Sequence, residues 1–169
     1  ILLFIMLSSA GLYKLAKGET LARRTAMTDW LSRLPNRRAL LARLETLSLA
    51  NPNEAISVVF IDLDGFKDVN DIYGHEVGDR LIVELSRTLR DKVPDGGMLA
   101  RMGGDEFAMT ISGDQASEKA SRFAEQVLAM LDLPVRLSER TIYIGASIGI
   151  ASGTLLECTS TELFRRADI

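Results

Sequence analysis

The chain of 169 residues predicts an α+β fold, a central antiparallel sheet covered by helices. Three observations carry that expectation. Short apolar runs of strand length alternate with longer stretches of helical periodicity. A Gly-Gly pair between two apolar runs reads as a β-hairpin. The resulting order is helix, strand, helix, hairpin, helix, strand, which suits helices packed over an antiparallel sheet. A hydrophobic content of 47% beside 25% charged residues supports a real core in one ordinary domain with an appendage.

The elements follow in order. Residues 1–13, ILLFIMLSSAGLY, carry no charge. A spanning helix needs about 20 apolar residues, so this run reads as the truncated end of a transmembrane helix. Lys14, Lys17, Arg23 and Arg24 then suit its cytoplasmic flank. The alternative is an apolar helix that packs on the domain or on a partner. Residues 14–30 read as a linker helix, and 31–169 as the folded domain. Leu34-Pro35-Asn36 is a turn in which Asn36 caps the helix RRALLARLETLSL, and Asn51-Pro52-Asn53 ends it. Ile56–Ile61, ISVVFI, is a buried strand. Asp62–Asn70 is expected as a loop or tight helical turn, and Asp71 onward as one long amphipathic helix ending before Pro94. Met98–Arg101 and Phe107–Ile111 are the hairpin strands, and Ser117–Leu131 is a further helix. Arg140–Ala151 reads as one long alternating strand, with Gly145 and Gly149 as bulges or points of close approach. A last helix starts at Ser160.

A formal net charge of −3 argues against a nucleic-acid binder that works through a general basic field. An anionic ligand must be held by local cations, backbone N–H groups or metal ions. The one cysteine, Cys158, excludes an internal disulfide and offers no cysteine cluster for zinc. Two acidic pairs carry more information. Asp62 and Asp64 end an apolar strand, where unpaired carboxylates are costly; Asp105-Glu106 sits at the hairpin tip. If the two strands are neighbours, the carboxylates converge on a hard-cation site of the kind Mg²⁺ takes, completed by substrate phosphates and water. Gly103-Gly104 permits positive φ and close approach of a phosphate or base. Taken alone, that tract is equally an ordinary turn with solvated charges.

The surrounding strings decide between these readings. RMGGDEF at Arg101–Phe107 matches the signature after which the GGDEF family is named, and the chain resembles the diguanylate cyclases. IDLDGFKDVNDIYGHEVGD, Ile61–Asp79, resembles the family's second signature, and ASIGIA, Ala146–Ala151, is similar to its late strand. TDWLSRLPNRR, Thr28–Arg38, resembles the motif that opens the domain, with Ser32 and Arg33 where threonine and glycine are commoner. The resemblance spans about Met27 to Ile169. It implies the ferredoxin-like palm of the nucleotidyl cyclases. It further implies that Asp62, Asp105 and the Leu63 carbonyl bind Mg²⁺ (or Mn²⁺), and that Glu106 binds metal or helps deprotonate a 3′-hydroxyl. Asn70 and Asp79 would read a guanine edge, Lys67 would neutralise phosphate, and Phe66 and Gly104 would shape the phosphate site. Family members join two GTP molecules into cyclic di-GMP with loss of pyrophosphate, across a homodimer. His75, the sole histidine, takes a structural place in a Gly-His turn, and Arg101 braces the hairpin or touches nucleotide.

Two departures stand out. Many family members carry Arg-x-x-Asp shortly before the signature as a product-binding inhibitory site; here Pro94-Asp95-Gly96-Gly97 occupies that window. Ala167-Asp168-Ile169 resembles only the first letters of a motif that supplies a lysine and an arginine to the GTP phosphates. The expectation is a catalytic domain facing the cytoplasm from the inner membrane. The runner-up is a GTP-binding regulatory module of a composite protein with a phosphodiesterase (EAL) domain downstream.

Overall fold

The structure, a computed structural model, describes residues 26–168. The membrane-helix reading of 1–13 and most of the linker helix lie outside the described residues. Of the linker's end, residues 27–30 form turn and bridge rather than helix: Asp29 N–H donates to Leu34 O at 2.8 Å, and Thr28 bridges Pro35. No helix of the described residues is long and apolar enough to cross a membrane.

The described elements run α1 (Arg37–Ala50), β1 (Ala55–Asp64), α2 (Phe66–Tyr73), α3 (His75–Arg90), β2 (Gly97–Gly103), β3 (Glu106–Ser112), α4 (Ala116–Leu131), β4 (Val135–Leu137), β5 (Arg140–Ile142), β6 (Gly145–Thr154) and α5 (Ser160–Ala167). The main sheet has the order β2-β3-β1-β6, every neighbouring pair antiparallel. Two crossovers, β1 to β2 and β3 to β6, interleave, which is the split βαβ arrangement of a ferredoxin-like fold.

Central β1 is buried on both faces, so its sequence is a nearly unbroken apolar run rather than a polar alternation. Val59, Ile61 and Leu63 join a core with Leu81, Leu85, Phe107, Met109, Phe123 and Val127, under α3 and α4. Ile56 and Val58 face the other way, toward Leu44 of α1 and Leu163 and Ala167 of α5. Leu40 closes the same side over Ala100 and Ala108. The helices thus form two layers with the sheet between them. Asn36 caps α1 as expected, its side-chain oxygen accepting from the Ala39 N–H at 3.1 Å.

Three elements differ from expectation. β1 continues through Asp64, paired as Asp62 with Glu106 and Ser147, and Asp64 with Gly145; the chain turns only at Gly65, at φ +78°. The single long helix is two helices, because Gly74 adopts φ +88° and ψ 156°, a conformation that ends α2 and starts α3 in a new direction. The strand Arg140–Ala151 is also two. β5 pairs with β4 in a separate two-stranded sheet, and only from Gly145 does the chain enter the main sheet. Alternation persists across Ile142 and Ile144, both buried, so periodicity carries no sign of the change of partner.

Candidate active site

The site lies at one end of β1 and the β2–β3 hairpin. Side chains alternate along a strand, so Asp62 shares the face of Ile56, Val58 and Phe60. Its ladder partner on β3 is Glu106, and directly opposed residues stand about 5 Å apart at Cβ. The two carboxylates therefore face one another at the rim of the sheet. Asp105 follows Gly104 in the intervening turn, and Gly104, at φ +48°, holds a left-handed conformation that a side chain there would strain. No atom approaches within 4 Å of the place where a Gly104 Cβ would stand, so the tip is open.

Electrostatics mark the cluster as short of positive charge. Burial, and then the charges of Asp105, Asp64 and Asp168, push the Asp62 carboxyl above its ordinary value. Glu106 is raised in the same way, by burial and then by Asp62, Asp105 and Asp168, with Arg37 the opposing charge. A bound cation would relieve both. Among the described residues no group of three or more His, Cys, Asp or Glu is gathered tightly enough to hold a metal by itself. One or two carboxylates completed by phosphates and water is the usual Mg²⁺ arrangement, and this donor set fits a cation completed in that way. Asp64 accepts a hydrogen bond from the Ser147 hydroxyl at 2.9 Å, and a Cβ on Gly145 would lie 3.2 Å from Asp64 Oδ2. Gly145 is thus a point of close approach.

Arg101 braces the hairpin. Its Nε and Nη2 both donate to Gly104 O, at 3.0 and 2.7 Å, and Nη1 reaches Asp29 Oδ1 at 2.9 Å. The same Asp29 oxygen accepts from the Ser32 N–H at 2.8 Å and the Ser32 hydroxyl at 2.7 Å. The departures in the opening motif become intelligible here. Serine keeps the hydroxyl that a threonine would supply, whereas Arg33 sits at φ +59°, where glycine is unstrained.

The remaining expected residues cluster on α2 and α3. Phe66 opens α2 and packs on the main core, while Lys67 is exposed beside it. Asn70 is half-buried, and Asp79 is exposed on α3 next to buried Gly78. A Cβ on Gly78 would stand 2.0 Å from Asn70 Oδ1, so the Asn70 amide packs directly on that glycine. His75 is the exposed first residue of α3. Next to the carboxylates a cleft of about 370 Å³ opens between α1 and α5, floored by Phe60 and Met102 and lined by Glu106, Asp168, Arg37 and Arg165. Sequence reading passed over Asp29, Arg37 and Gly78. Asp29 and Gly78 lie inside motifs quoted from the sequence, but their contacts join residues far apart in the chain or on successive helices. In the Pro94–Gly97 window, Arg43 of α1 donates to the Gly96 carbonyl.

Comparisons with known proteins agree with the fold. The family model described as "Diguanylate cyclase, GGDEF domain" matches residues 26–169. The bifunctional diguanylate cyclase/cyclic di-GMP phosphodiesterase MucR of Pseudomonas aeruginosa is 40% identical over 75% of this chain, and diguanylate cyclase TpbB of the same organism is 38% identical over 83% of it. The chain spans only 18% and 33% of those two relatives' lengths. Among solved structures, the coiled coil and GGDEF domain of DgcB from Caulobacter crescentus, in complex with c-di-GMP, superposes with a TM-score of 0.84 at 26% identity. That match covers 95% of this chain and 86% of the other. Fold, hairpin signature and family match coincide over the same residues: this chain belongs to the GGDEF domain family.

Proposed function

We propose that the domain is a diguanylate cyclase that condenses two GTP molecules into cyclic di-GMP and two pyrophosphates. The observation that carries this reading is the pairing of Asp62 with Glu106 across β1 and β3, beside Asp105 on the braced hairpin turn. Asp62, Asp105, Glu106 and the Leu63 carbonyl would hold Mg²⁺ or Mn²⁺, which neutralises phosphate charge and makes a hydroxyl easier to ionise. Each 3′-oxygen attacks the α-phosphorus of the GTP held by a second copy of the domain. A 3′–5′ phosphodiester bond forms, the α–β anhydride bond breaks and pyrophosphate leaves. Glu106, opposite Asp62 in the β1–β3 ladder, would take up the hydroxyl proton. Asn70 and Asp79 orient the guanine, the amide meeting an acceptor–donor edge and the carboxylate accepting from N1–H and N2–H₂. Lys67 faces the phosphates, and Phe66 and Gly104 shape their site. Two active sites must face one another, so a homodimer is the working form. Tethering to the inner membrane through residues 1–13, with the domain in the cytoplasm, completes the proposal and rests on the apolar run and its basic flank.

Incubation of the full-length protein with GTP and Mg²⁺ tests the reading. Cyclic di-GMP should accumulate, and Asp105→Ala should abolish it. A dimeric sample that binds GTP without forming product refutes cyclase activity. The relative MucR, named for both activities, favours one second reading, a GTP-binding module that regulates an EAL phosphodiesterase domain in the same protein. GTP binding without product, together with GTP-dependent phosphodiesterase activity of the parent protein, would select it.

A further inference from the structure

Gly78 is the fourth residue of α3 and is buried. Its φ is not among the positive values of the described chain, so no backbone requirement explains a glycine there. Alanine is favoured over glycine inside a helix. The reason must be space, and the neighbours show whose. A Cβ at Gly78 would stand 2.0 Å from Asn70 Oδ1, 3.0 Å from Asn70 Cγ and 3.3 Å from Phe66 Cζ. The slot is filled by the polar end of one side chain rather than by the backbone of α2.

We propose that Gly78 is a positioning residue for base recognition: its missing side chain makes the pocket that seats the Asn70 amide where it meets the guanine edge. This rests on the reading of Asn70 given above. Real Cβ contacts essentially never fall under 3.0 Å, so Gly78→Ala must move the amide by at least 1.0 Å, the difference from 2.0 Å. Hydrogen bonds weaken steeply with such displacement and misalignment. Because the displaced group is a flexible side-chain end, the amide swings away, while Phe66 Cζ at 3.3 Å gives by only a few tenths of an ångström. The substitution therefore separates base reading from folding, in contrast to most changes at a buried glycine.

The test is a double-mutant cycle on the full-length protein, with GTP and ATP binding measured by titration calorimetry and thermal unfolding recorded alongside. Gly78→Ala should weaken GTP binding roughly 10–100-fold, the range for losing a hydrogen bond to a buried site. ATP binding should change less than about threefold, and the melting temperature should hold or rise. In the Asn70→Ala background, Gly78→Ala should have no further effect on GTP, because the group it displaces is gone. The proposal is overturned if Gly78→Ala binds GTP like the wild type, if it melts several degrees lower, or if it still weakens binding when Asn70 is alanine. If Asn70→Ala binds GTP normally, Asn70 does not read the base and the proposal falls with that assignment. A wild-type protein that fails to bind GTP at all overturns the proposed function itself, a result distinct from each of the others.

Discussion

Replacing Arg101 by methionine removes the guanidinium while keeping much of the side chain's apolar volume. Three hydrogen bonds disappear, two to Gly104 O and one to Asp29 Oδ1. They are unequal. The Gly104 carbonyl is exposed and rehydrates, so those two cost little in stability. The Asp29 bond is different, because the Arg101 and Asp29 side chains are only 11% and 19% exposed. A hydrogen bond to a charged group in such surroundings contributes about 1.5–3 kcal/mol. Asp29 retains both Ser32 bonds, which argues against the larger penalty of an abandoned buried charge. The expected loss is therefore about 1.5–3 kcal/mol, or roughly 5–10 °C in Tm for a domain of this size. The pH dependence gives a second reading. Burial alone would raise the Asp29 carboxyl, but hydrogen bonds from Ser32 and Arg101 together with the Arg101 charge hold it below its ordinary 3.8. A depressed acid contributes stability above its unfolded value and loses it as pH falls through the folded one. The gap between wild type and Arg101→Met should accordingly be full at neutral pH and narrow below pH 3.8. Thermal unfolding monitored by circular dichroism from pH 7 downward measures both effects. A variant that melts within 1 °C of the wild type at pH 7 would show that the brace contributes nothing and that the tip is held by the hairpin alone.

Other expectations follow from the same contacts. In chelator at pH 7–8, Glu106→Gln should stabilise the domain by about 0.5 kcal/mol, the scale of a solvent-screened charge contact. The sign follows from its raised carboxyl: ionisation is disfavoured in the fold, so the cost exists above the folded value and vanishes as pH falls toward 4.5. A Tm that drops instead, in the same scan, contradicts the charge-crowding account. Arg33→Gly relieves a left-handed φ of 59° and should raise stability by up to about 1 kcal/mol, since the gain is partly offset by the freer unfolded chain; a loss in urea unfolding would mean that the Arg33 side chain has an unseen role. Asn36→Ala removes the cap of α1 and should cost about 1 kcal/mol in the same assay. Pro94–Gly97 offers neither Arg nor a suitably spaced Asp, so calorimetry with cyclic di-GMP should detect no high-affinity binding there. Tight binding abolished by Asp95→Ala would disprove that.

Much of this protein follows from local chemistry that a sequence displays directly. The run ISVVFI is apolar at every position but one because β1 is covered on both faces, and burial on two sides leaves a mark that needs no partner to be read. Asn36 before a helical run and two glycines before two acids are likewise local signals, since a cap and a turn are made by residues within a few positions of one another. The order of strands and helices sufficed for the α+β class and the hairpin.

What only the tertiary structure decided depends on contacts between distant residues. Arg140–Ala151 alternates throughout, yet β5 and β6 belong to different sheets, because side-chain alternation records a buried face and says nothing about which strand is the neighbour. Gly74 is one glycine among 13 in the chain, and its positive φ appears only when the helix after it turns to cover the sheet. Asp62 faces Glu106 through a register between residues 44 positions apart, and Asp29 meets Arg101 across 72 positions. The sequence alone determined which chemical groups the site contains. The β1–β3 ladder, the Asp29–Arg101 brace and the space over Gly78 decided where those groups stand, because position at the ångström level is set by packing between elements.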